Sequence, residues 1–452
     1  MSHTGARATR PQTIETMKKE MQDVLEQNIL RFWLDNMVDV ENGGFYGRID
    51  GQGVLHPVAP KGAILNARIL WAFSAAYRVL QHTSPDSLER ERPARKQHLE
   101  EYLAAATRAK DYLIDHFIDP DYGGVYWSVD YTGEPLDMKK QFYAIGFAIY
   151  GLSEYVRATG DREALDIALQ LFECIEEHAF DSVNNGYIEA TTRDWQPLAD
   201  MRLSDLDANY PKSQNTHLHI IEPYTNLYRC LQELQAASSC DYVPAIGAVL
   251  PVAIAVPAAT VERVKGALRN LIHIFTDHIL NPQTHHLDLF FEMDWTRGAG
   301  HLESYGHDIE CSWLLHEAAL VLSDEQVLRK VENVVQLVAN ASEKGLNADG
   351  SMIHEANIDT GHTDDDLHWW VQAENVVGWV NIYQYFGDAD ALDKACRCWQ
   401  YIKTQLIDYE HGEWYWSRHR DGTLNTIDDK AGFWKCPYHN SRMCLEVIER
   451  QL

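Results

Sequence analysis

The chain has 452 residues, of which 45% are hydrophobic and 11% aromatic, so it can bury a large core and is not a disordered protein. Its formal net charge is -28, from 39 Lys and Arg against 67 Asp and Glu, which argues against nucleic acid or an anionic membrane as a partner. This balance fits a protein with a neutral small-molecule substrate.

The cysteines and the N-terminal residues favour a cytoplasmic setting. Eight cysteines are scattered along the chain without a CxxC pair, which is typical of reduced thiols rather than of a disulfide framework. Residues 1–19 are basic but lack the apolar stretch of a signal peptide. We therefore expect a cytoplasmic protein.

A composite signal returns six times along the chain. A polar turn built on Gly, Asn, Asp or His leads into a short apolar or aromatic stretch, and a mostly apolar helical segment with a polar head follows, roughly 20 to 30 residues later. The turns lie at residues 42–45, 122–127, 184–187, 285–291, 349–352 and 411–416, and the helical segments begin near Lys61, Lys139, Ser213, Tyr305, His368 and Pro437. Because such a repeat cannot bury its apolar face alone, six copies predict a closed ring with the polar heads around one central pocket.

Two kinds of helix alternate between these turns. Residues 99–118 mix charged and apolar positions at helical period, which is typical of an outer layer. Residues 64–76 and 141–155 are apolar nearly all round, which is typical of helices buried on every side. The alternation predicts an all-α (α/α)6 barrel, a double ring of about twelve helices with short β-hairpins on one face. We predict one catalytic domain over residues 1–452.

One segment departs from the repeat. Residues 242–261 are almost entirely apolar and long enough to suggest a membrane span, but Pro244, Pro251 and Pro257 argue against a regular helix. We predict an apolar, Pro-containing insertion at about 240–261 on the barrel surface, with a membrane or partner contact as the alternative. Residues 84–96 are also predicted to form a loop or insertion.

The first three inner segments carry candidate site residues at their heads. These are Arg68 in the first, Tyr143 in the second, and Asn215, His217, His219 and Glu222 in the third. A cation in an apolar helix needs an acceptor, so Arg68 is either paired with a buried carboxylate or available to a substrate oxygen. His217 and His219 are about 200° apart around a helix and cannot both bind one metal ion, so no metal site is predicted. His219 and Glu222 share a face, as a structural pair or as part of the site.

The last three inner segments supply more imidazoles, carboxylates and tryptophans. Their candidates are His307, Asp308 and Glu310 in the fourth, Trp370 and Glu374 in the fifth, and Trp434 and His439 in the sixth. We expect Glu310 to orient His307 and raise its basicity, since the two share a helix face. The tryptophans are either core residues or a platform for a sugar. Pro437 suits a helix start, which places His439 in the first turn. Several imidazoles without a metal triad indicate proton transfer near neutral pH.

Four of these strings resemble a known family. NTHLH (215–219), GHDIECSWLL (306–315), HWWVQAE (368–374) and FWKCPYHN (433–440) resemble cellobiose 2-epimerases, which belong to the N-acylglucosamine 2-epimerase superfamily. The likeness runs from about residue 27 to residue 449. It implies an (α/α)6 barrel that reversibly epimerises C2 of the reducing-end glucose of β-1,4-linked disaccharides such as cellobiose, lactose or mannobiose. It implies no metal or nucleotide cofactor, a disaccharide or oligosaccharide as the partner, and a monomer or homodimer.

The resemblance also implies roles for particular residues. His307 and His439 match the acid/base pair, and His219 joins them as a third catalytic candidate. The substrate-binding residues would be Arg68, Tyr143, Asn215, Glu222, Asp308, Glu310, Trp370, Glu374 and Trp434. After ring opening, one His would remove the C2 proton to leave a cis-enediolate, whose oxyanion Arg68 would stabilise. A second His would return a proton on the opposite face.

Other functions stay open at this point. An N-acylglucosamine 2-epimerase and a mannose-type aldose–ketose isomerase use related chemistry. Barrels of this kind also host inverting glycosidases, which need two carboxyl groups about 6.5–9.5 Å apart, and Glu310 and Glu374 are candidates for such a pair. That assignment leaves the three His unexplained. A non-catalytic sugar-binding protein is a further alternative, against which the complete set of His, Arg and Glu argues.

Overall fold

The computed structural model describes residues 10–81, 92–205, 207–237 and 254–452. Its α-helices are α1 (Arg10–Val24), α2 (Arg31–Asn36), α3 (Ala63–Leu80), α4 (Arg92–Tyr112), α5 (Phe142–Thr159), α6 (Arg162–His178), α7 (Gln214–Ala237), α8 (Ala258–Ile274), α9 (Tyr305–Leu322), α10 (Glu325–Ser342), α11 (Trp369–Phe386), α12 (Ala389–Tyr401) and α13 (His439–Glu449). Helices α3, α5, α7, α9, α11 and α13 contact one another in this order, and α13 also contacts α3, so they close an inner ring. The predicted (α/α)6 barrel is confirmed.

The outer helices pack in the grooves of this ring. Helix α4 contacts α3 and α5, α8 contacts α7 and α9, and α10 contacts α9 and α11, while α1 packs on α13. Helix α6 buries residues spaced three or four apart, such as Leu165, Ala168 and Phe172, whereas α5 is buried along residues 142–158. Several outer helices end in irregular turns, which are π-helical at Leu25–Leu30, Leu113–Phe117, Phe275–Ile279 and Ile402–Leu406 and 3-10 at Glu343–Gly345.

Short strands lie at one end of the barrel. They are β1 (Lys61–Gly62), β2 (Ser128–Val129), β3 (Pro135–Asp137), β4 (Lys140–Gln141), β5 (Ala190–Thr191), β6 (Lys212–Ser213), β7 (Phe290–Phe291), β8 (Leu302–Ser304), β9 (Glu355–Asn357), β10 (His362–Asp364), β11 (Leu367–His368) and β12 (Ser417–Arg418). The strand before an inner helix pairs antiparallel with the strand that follows the next outer helix, as in β1–β2, β4–β5, β6–β7, β8–β9 and β11–β12. Because these strands lead directly into the inner helices, all the helix heads lie at this end.

The inner helices begin within three residues of the predicted positions. Residues 84–96 were predicted to be a loop, but α4 already begins at Arg92, and the rest of that segment lies outside the described residues. Most of the segment at about 240–261 also lies outside them. Its last four residues form the first turn of α8, where Val261 is buried, so the insertion ends earlier than predicted. The extent of the single domain, 1–452, stays a prediction.

Among the described helices, none is both long and apolar enough to cross a membrane.

A buried Lys–Asp pair recurs in the first three repeats and ties a turn to the strand before an inner helix. The Nζ–Oδ2 distances are 2.8 Å for Lys61–Asp39, 2.9 Å for Lys140–Asp119 and 2.9 Å for Lys212–Asp181. Each Lys lies in the strand before the inner helix, and each Asp begins the preceding turn. Removing one partner of such a pair leaves a buried charge without compensation.

We expect Asp181→Asn to lower the free energy of unfolding by about 3–5 kcal/mol at pH 7, because Lys212 loses its counter-ion. Burial alone would raise the pKa of Asp181, but Lys212 and the turn around Asn184 lower it to about 2 from an ordinary 3.8. The ionised carboxylate therefore stabilises the fold above pH about 4, and this contribution is lost as the pH falls from there through about 2. Urea unfolding at pH 7 and pH 3 should show a smaller difference from the wild type at pH 3. Equal stability at pH 7 would contradict the assignment.

Candidate active site

A cavity of about 460 Å³ opens at the strand-bearing end of the barrel. Asn215 and His307 line it, together with Glu189, Gln214 and His354. The Oδ1 atom of Asn215, Nε2 of Gln214 and Oε1 of Glu189 are buried and have no hydrogen-bond partner within the described residues. Buried polar atoms normally have partners, so the hydroxyl groups of a sugar can satisfy these three.

Two of the predicted catalytic imidazoles are held by carboxylates. The Nδ1 atom of His219 lies 3.0 Å from Oε2 of Glu222, and Nδ1 of His439 lies 2.7 Å from Oε1 of Glu374. The first pair comes from one turn of α7, as its spacing predicted, whereas the second joins α13 to α11 and has no local signal. His439 is the first residue of α13, so its predicted place in the first turn is correct.

The expected pairing of His307 with Glu310 is wrong. The Nδ1 atom of His307 lies 2.8 Å from Oγ of Ser304, the last residue of β8, while Glu310 accepts a hydrogen bond from Arg442. The local spacing allows a His–Glu pair, but His307 is paired with Ser304 on β8 and Glu310 with Arg442 on α13. His307 remains at the cavity, half-buried, with its ring fixed by a hydroxyl group instead of a carboxylate.

The surroundings of all three imidazoles lower their pKa values and favour the neutral form. Burial lowers the pKa of His307 to about 3, and the nearby imidazoles of His354, His219 and His439 act in the same direction. Burial also lowers the pKa of His439 well below its usual range, as do the charges of Arg68 and Arg442. The pKa of His219 is lowered by burial despite the opposing effect of Glu222. Neutral imidazoles can accept protons, as general bases must.

Arg442 links the three carboxylates of the site. Its Nη2 atom donates to Oε1 of Glu310 and to Oε1 of Glu374, both at 2.6 Å, and its Nη1 atom donates to Oε1 of Glu222. The hydroxyl group of Tyr438 also donates to Glu222. Sequence reasoning missed both residues. The available signal was their position at the FWKCPYHN string (433–440), with Tyr438 inside it just before His439 and Arg442 two residues beyond its end.

The surroundings of Arg442 shift the pKa values of Glu222 and Glu310 in opposite directions. Burial would raise the pKa of Glu222, but Arg442, His219 and Tyr438 lower it to about 2. Burial and the neighbouring Glu374 raise the pKa of Glu310 well above its usual range. Glu222 is therefore held ionised beside His219, and Glu310 favours its protonated form.

Arg68 has no carboxylate partner within the described residues, so the structure favours its availability to a ligand. Its Nη2 atom donates to the hydroxyl oxygen of Tyr143 at 2.9 Å, and Nη1 lies 3.4 Å from the carbonyl oxygen of Trp434. Its guanidinium carbon lies 4.2 Å from the ring centroid of Phe147 and 4.5 Å from that of Tyr438. Its Nε atom is buried and has no hydrogen-bond partner among the residues that the structure describes.

The two predicted tryptophans are half-buried, and Trp370 packs against two of the histidines. The Trp370 ring centroid lies 4.9 Å from that of His307 and 5.7 Å from that of His439. The Trp434 ring lies 6.2 Å from the ring of Tyr143. The neighbouring Trp369 is 3% exposed and belongs to the core, so only the second member of the Trp pair faces the site.

Asp308 does not join this cluster, contrary to the prediction. Its carboxylate accepts from Nδ1 of His286 at 2.6 Å and from the amide of Leu287 at 2.9 Å, and it thereby anchors a hairpin to α9. His217 is also structural, since its Nδ1 atom lies 2.7 Å from the carbonyl oxygen of Ser213 and its Nε2 accepts from the amide of Tyr187. As its spacing from His219 indicated, the two rings face different sides of α7.

The sequence matches the N-acylglucosamine 2-epimerase (GlcNAc 2-epimerase) family over residues 93–226 and 251–442, and the chain belongs to this family. Cellobiose 2-epimerase of Bacteroides fragilis is 54% identical over 434 residues, which cover 96% of this chain and 99% of that protein. The cellobiose 2-epimerase of Ruminococcus albus is 37% identical over 435 residues, with coverage of 96% and 99%. The structure of cellobiose 2-epimerase from Bacillus thermoamylovorans superposes with a TM-score of 0.83 at 39% identity, covering 97% of this chain and all of that one. The chain is a carbohydrate epimerase of the cellobiose 2-epimerase type.

Proposed function

We propose that this chain reversibly epimerises C2 of the reducing-end glucose of β-1,4-linked disaccharides, with cellobiose as the first substrate to test. The observation that carries the proposal is that two imidazoles, those of His307 and His439, both lie against Trp370, with ring centroids 4.9 Å and 5.7 Å from its ring. Relatives named cellobiose 2-epimerases support the substrate class. A glucose ring near Trp370 would lie within reach of both bases.

The chemistry requires ring opening first, because the C2 proton is acidic only when C1 is an aldehyde. One imidazole, neutral at that moment, then removes the C2 proton to give a cis-enediolate. The other, which has taken up a proton on Nε2 before the step, donates it to the opposite face of C2 and inverts that carbon, so the two rings finish with their protonation states exchanged. Since Nδ1 of each ring is engaged by Ser304 or Glu374, Nε2 is the atom that exchanges the proton. Two bases of similar character can exchange roles, as a reversible reaction requires.

The remaining residues stabilise charge and hold hydroxyl groups. Arg68, whose buried Nε has no partner in the described part of the chain, would stabilise the developing oxyanion at O1 or O2. His219, whose ring centroid lies 4.8 Å from that of Tyr143, is the candidate for proton transfer during ring opening. Arg442 would hold Glu222 and Glu374 as the acceptors that orient His219 and His439. Proton transfer of this kind needs no metal ion or cofactor, and we propose none.

The carboxylate geometry opposes an inverting glycosidase. Oxygen atoms of Glu310 and Glu374 lie within 4.8 Å of each other, and both accept from one nitrogen of Arg442. An inverting pair needs its carboxyl groups about 6.5–9.5 Å apart to admit a water molecule.

Incubation with cellobiose in deuterated water tests the proposed reaction. We expect deuterium at C2 of both epimers, glucosyl-glucose and glucosyl-mannose, with far less at C1, because the enediolate is returned mainly to the aldose. Mass spectrometry and proton NMR locate the label. Label chiefly at C1 with ketose as the main product would make the chain an aldose–ketose isomerase, and turnover of N-acylglucosamine instead of cellobiose would move it to that branch of the family.

The platform role of the tryptophans gives a further expectation. Trp370→Ala and Trp434→Ala should each lower kcat/KM for cellobiose by at least roughly tenfold, or about 1.4 kcal/mol of transition-state stabilisation, with the fold retained. Trp379→Ala serves as the control, since Trp379 is a fully buried core residue. It should lower the melting temperature more than it lowers kcat/KM of the folded enzyme. If Trp370→Ala unfolds the barrel while Trp434→Ala has no effect, the platform assignment is wrong.

A further inference from the structure

A cluster of two imidazoles and one carboxylate lies beside the cavity and has no part in the proposed chemistry. It consists of His354, Asp364 and His368, called the rim cluster below. His354 immediately precedes β9, Asp364 ends β10, and His368 ends β11. Strands β9 and β10 pair with Asp364 opposite Glu355, so short hydrogen-bonded strands set the relative positions of the three residues. One nitrogen or oxygen atom from each lies within 4.8 Å of the others.

We propose that the rim cluster binds a divalent transition-metal ion of the Zn²⁺ class. Two imidazole nitrogens and one carboxylate oxygen are the donor set that zinc and its neighbours prefer, whereas Ca²⁺ and Mg²⁺ favour oxygen donors. Three protein ligands leave the fourth position to water or to a sugar hydroxyl group.

The distances suit such an ion after small side-chain adjustments. Nδ1 of His354 lies 2.8 Å from Oδ2 of Asp364, and Nε2 of His368 lies 3.9 Å from the same oxygen. Tetrahedral bonds of about 2.0–2.1 Å separate neighbouring ligand atoms by roughly 3.3 Å, which falls between these values. The side chains of His354, Asp364 and His368 are 20%, 37% and 16% exposed, so an ion can reach them from solvent.

We expect metal binding at the rim cluster to inhibit the epimerase. This inhibition rests on the proposed function, but the metal binding is independent of it. His354 and Asp364 line the same cavity as His307. The ring of His354 lies 5.7 Å from that of Trp370. A bound dication would place positive charge near His307, oppose its protonation during turnover and occupy space beside Trp370.

Zinc binding by the whole chain tests the site directly. Equilibrium dialysis against ZnCl₂ should show one more tightly bound ion in the wild type than in His368→Gln, which removes a ligand outside the cavity lining. His56→Gln is the matched control, because His56 pairs with one carboxylate, that of Asp50 at 2.8 Å, and is not a member of the rim cluster. It should bind as much zinc as the wild type. Substitution with Co²⁺ should give the visible absorption of a four- or five-coordinate site in the wild type and His56→Gln alone. Equal zinc content and equal Co²⁺ spectra for the wild type and His368→Gln would overturn the proposal.

The epimerase assay tests the inhibitory effect separately. We expect Zn²⁺ to inhibit the wild type and His56→Gln, with full recovery on chelation. His368→Gln should need at least ~10-fold more zinc while keeping the metal-free activity of the wild type. Zinc bound at the site with full activity would overturn the inhibition, and equal inhibition of all three proteins would assign it to another site. If the chain epimerises no disaccharide, the proposed function fails, and dialysis still decides whether the rim cluster binds zinc.

Discussion

Replacing His307 or His439 with Asn is expected to lower kcat for cellobiose at least ~10²-fold, the usual scale for loss of a general base, with the fold retained. Both rings lie at the cavity end of the barrel, with His439 buried and His307 half-buried, and each is held through Nδ1. Steady-state kinetics and circular dichroism measure the two effects. Near-wild-type turnover by either variant would contradict the two-base mechanism.

A matched control separates chemistry from stability. His217 is a fully buried imidazole on α7 that holds the amide of Tyr187, so His217→Asn should lower the melting temperature with little change in kcat. The direction of the reaction adds a sharper test. A variant that keeps one base should still exchange the C2 proton of one epimer with deuterated water, while interconversion stops. If either variant exchanges both epimers equally, the two histidines are not separate bases.

Local chemistry explains why much of the fold was predictable from the sequence. The turns, the inner helix starts and the His219–Glu222 pair depend on residues a few positions apart, where periodicity and turn preferences act. His307 shows the limit of this reasoning. Its spacing to Glu310 equals that of His219 to Glu222, yet Glu310 turns to Arg442, which is 132 residues away in the chain.

Contacts between residues far apart in the sequence also explain why Asp308 was wrongly predicted to line the pocket and why Arg442 and Tyr438 were not predicted. The family resemblance implied a place for Asp308 at the pocket, but an imidazole of an earlier hairpin, His286, holds its carboxylate instead. Arg442 and Tyr438 were missed because their partners come from three other inner helices. Closure of the ring brings these partners together, and no local pattern records which helices meet across its axis.

Arg442→Met is expected to damage both stability and catalysis. Arg442 is fully buried and contacts Glu222, Glu310 and Glu374, so its loss leaves three carboxylates in the barrel centre without a shared cation. We expect a loss of about 3–5 kcal/mol in the free energy of unfolding. We also expect kcat to fall at least ~10-fold, because Glu222 and Glu374 then hold His219 and His439 less firmly.

The pH dependence of kcat should differ between Arg442→Met and the wild type, and the pKa of Glu222 sets the direction of the difference. With Arg442 present, the pKa of Glu222 is lowered to about 2 even though burial opposes this, so the carboxylate is ionised throughout the working range. Without the guanidinium group, burial dominates and the pKa of Glu222 rises. The decline of kcat on the acidic side should therefore begin at a higher pH in Arg442→Met than in the wild type. Arg442→Lys should restore part of the stability, since it returns a cation without the planar fork.

Arg157→Met is the control that makes this test specific. Arg157 is also buried, in the last turn of α5 at the opposite end of the barrel, and its Nη1 atom donates to Oε2 of Glu154 at 2.8 Å. Its loss should lower the melting temperature without moving the acidic limb of the kcat profile. If Arg442→Met and Arg157→Met lose stability alike and both keep the wild-type profile, Arg442 is a structural ion-pair residue. The arrangement of His219 and His439 would then depend on their carboxylates alone.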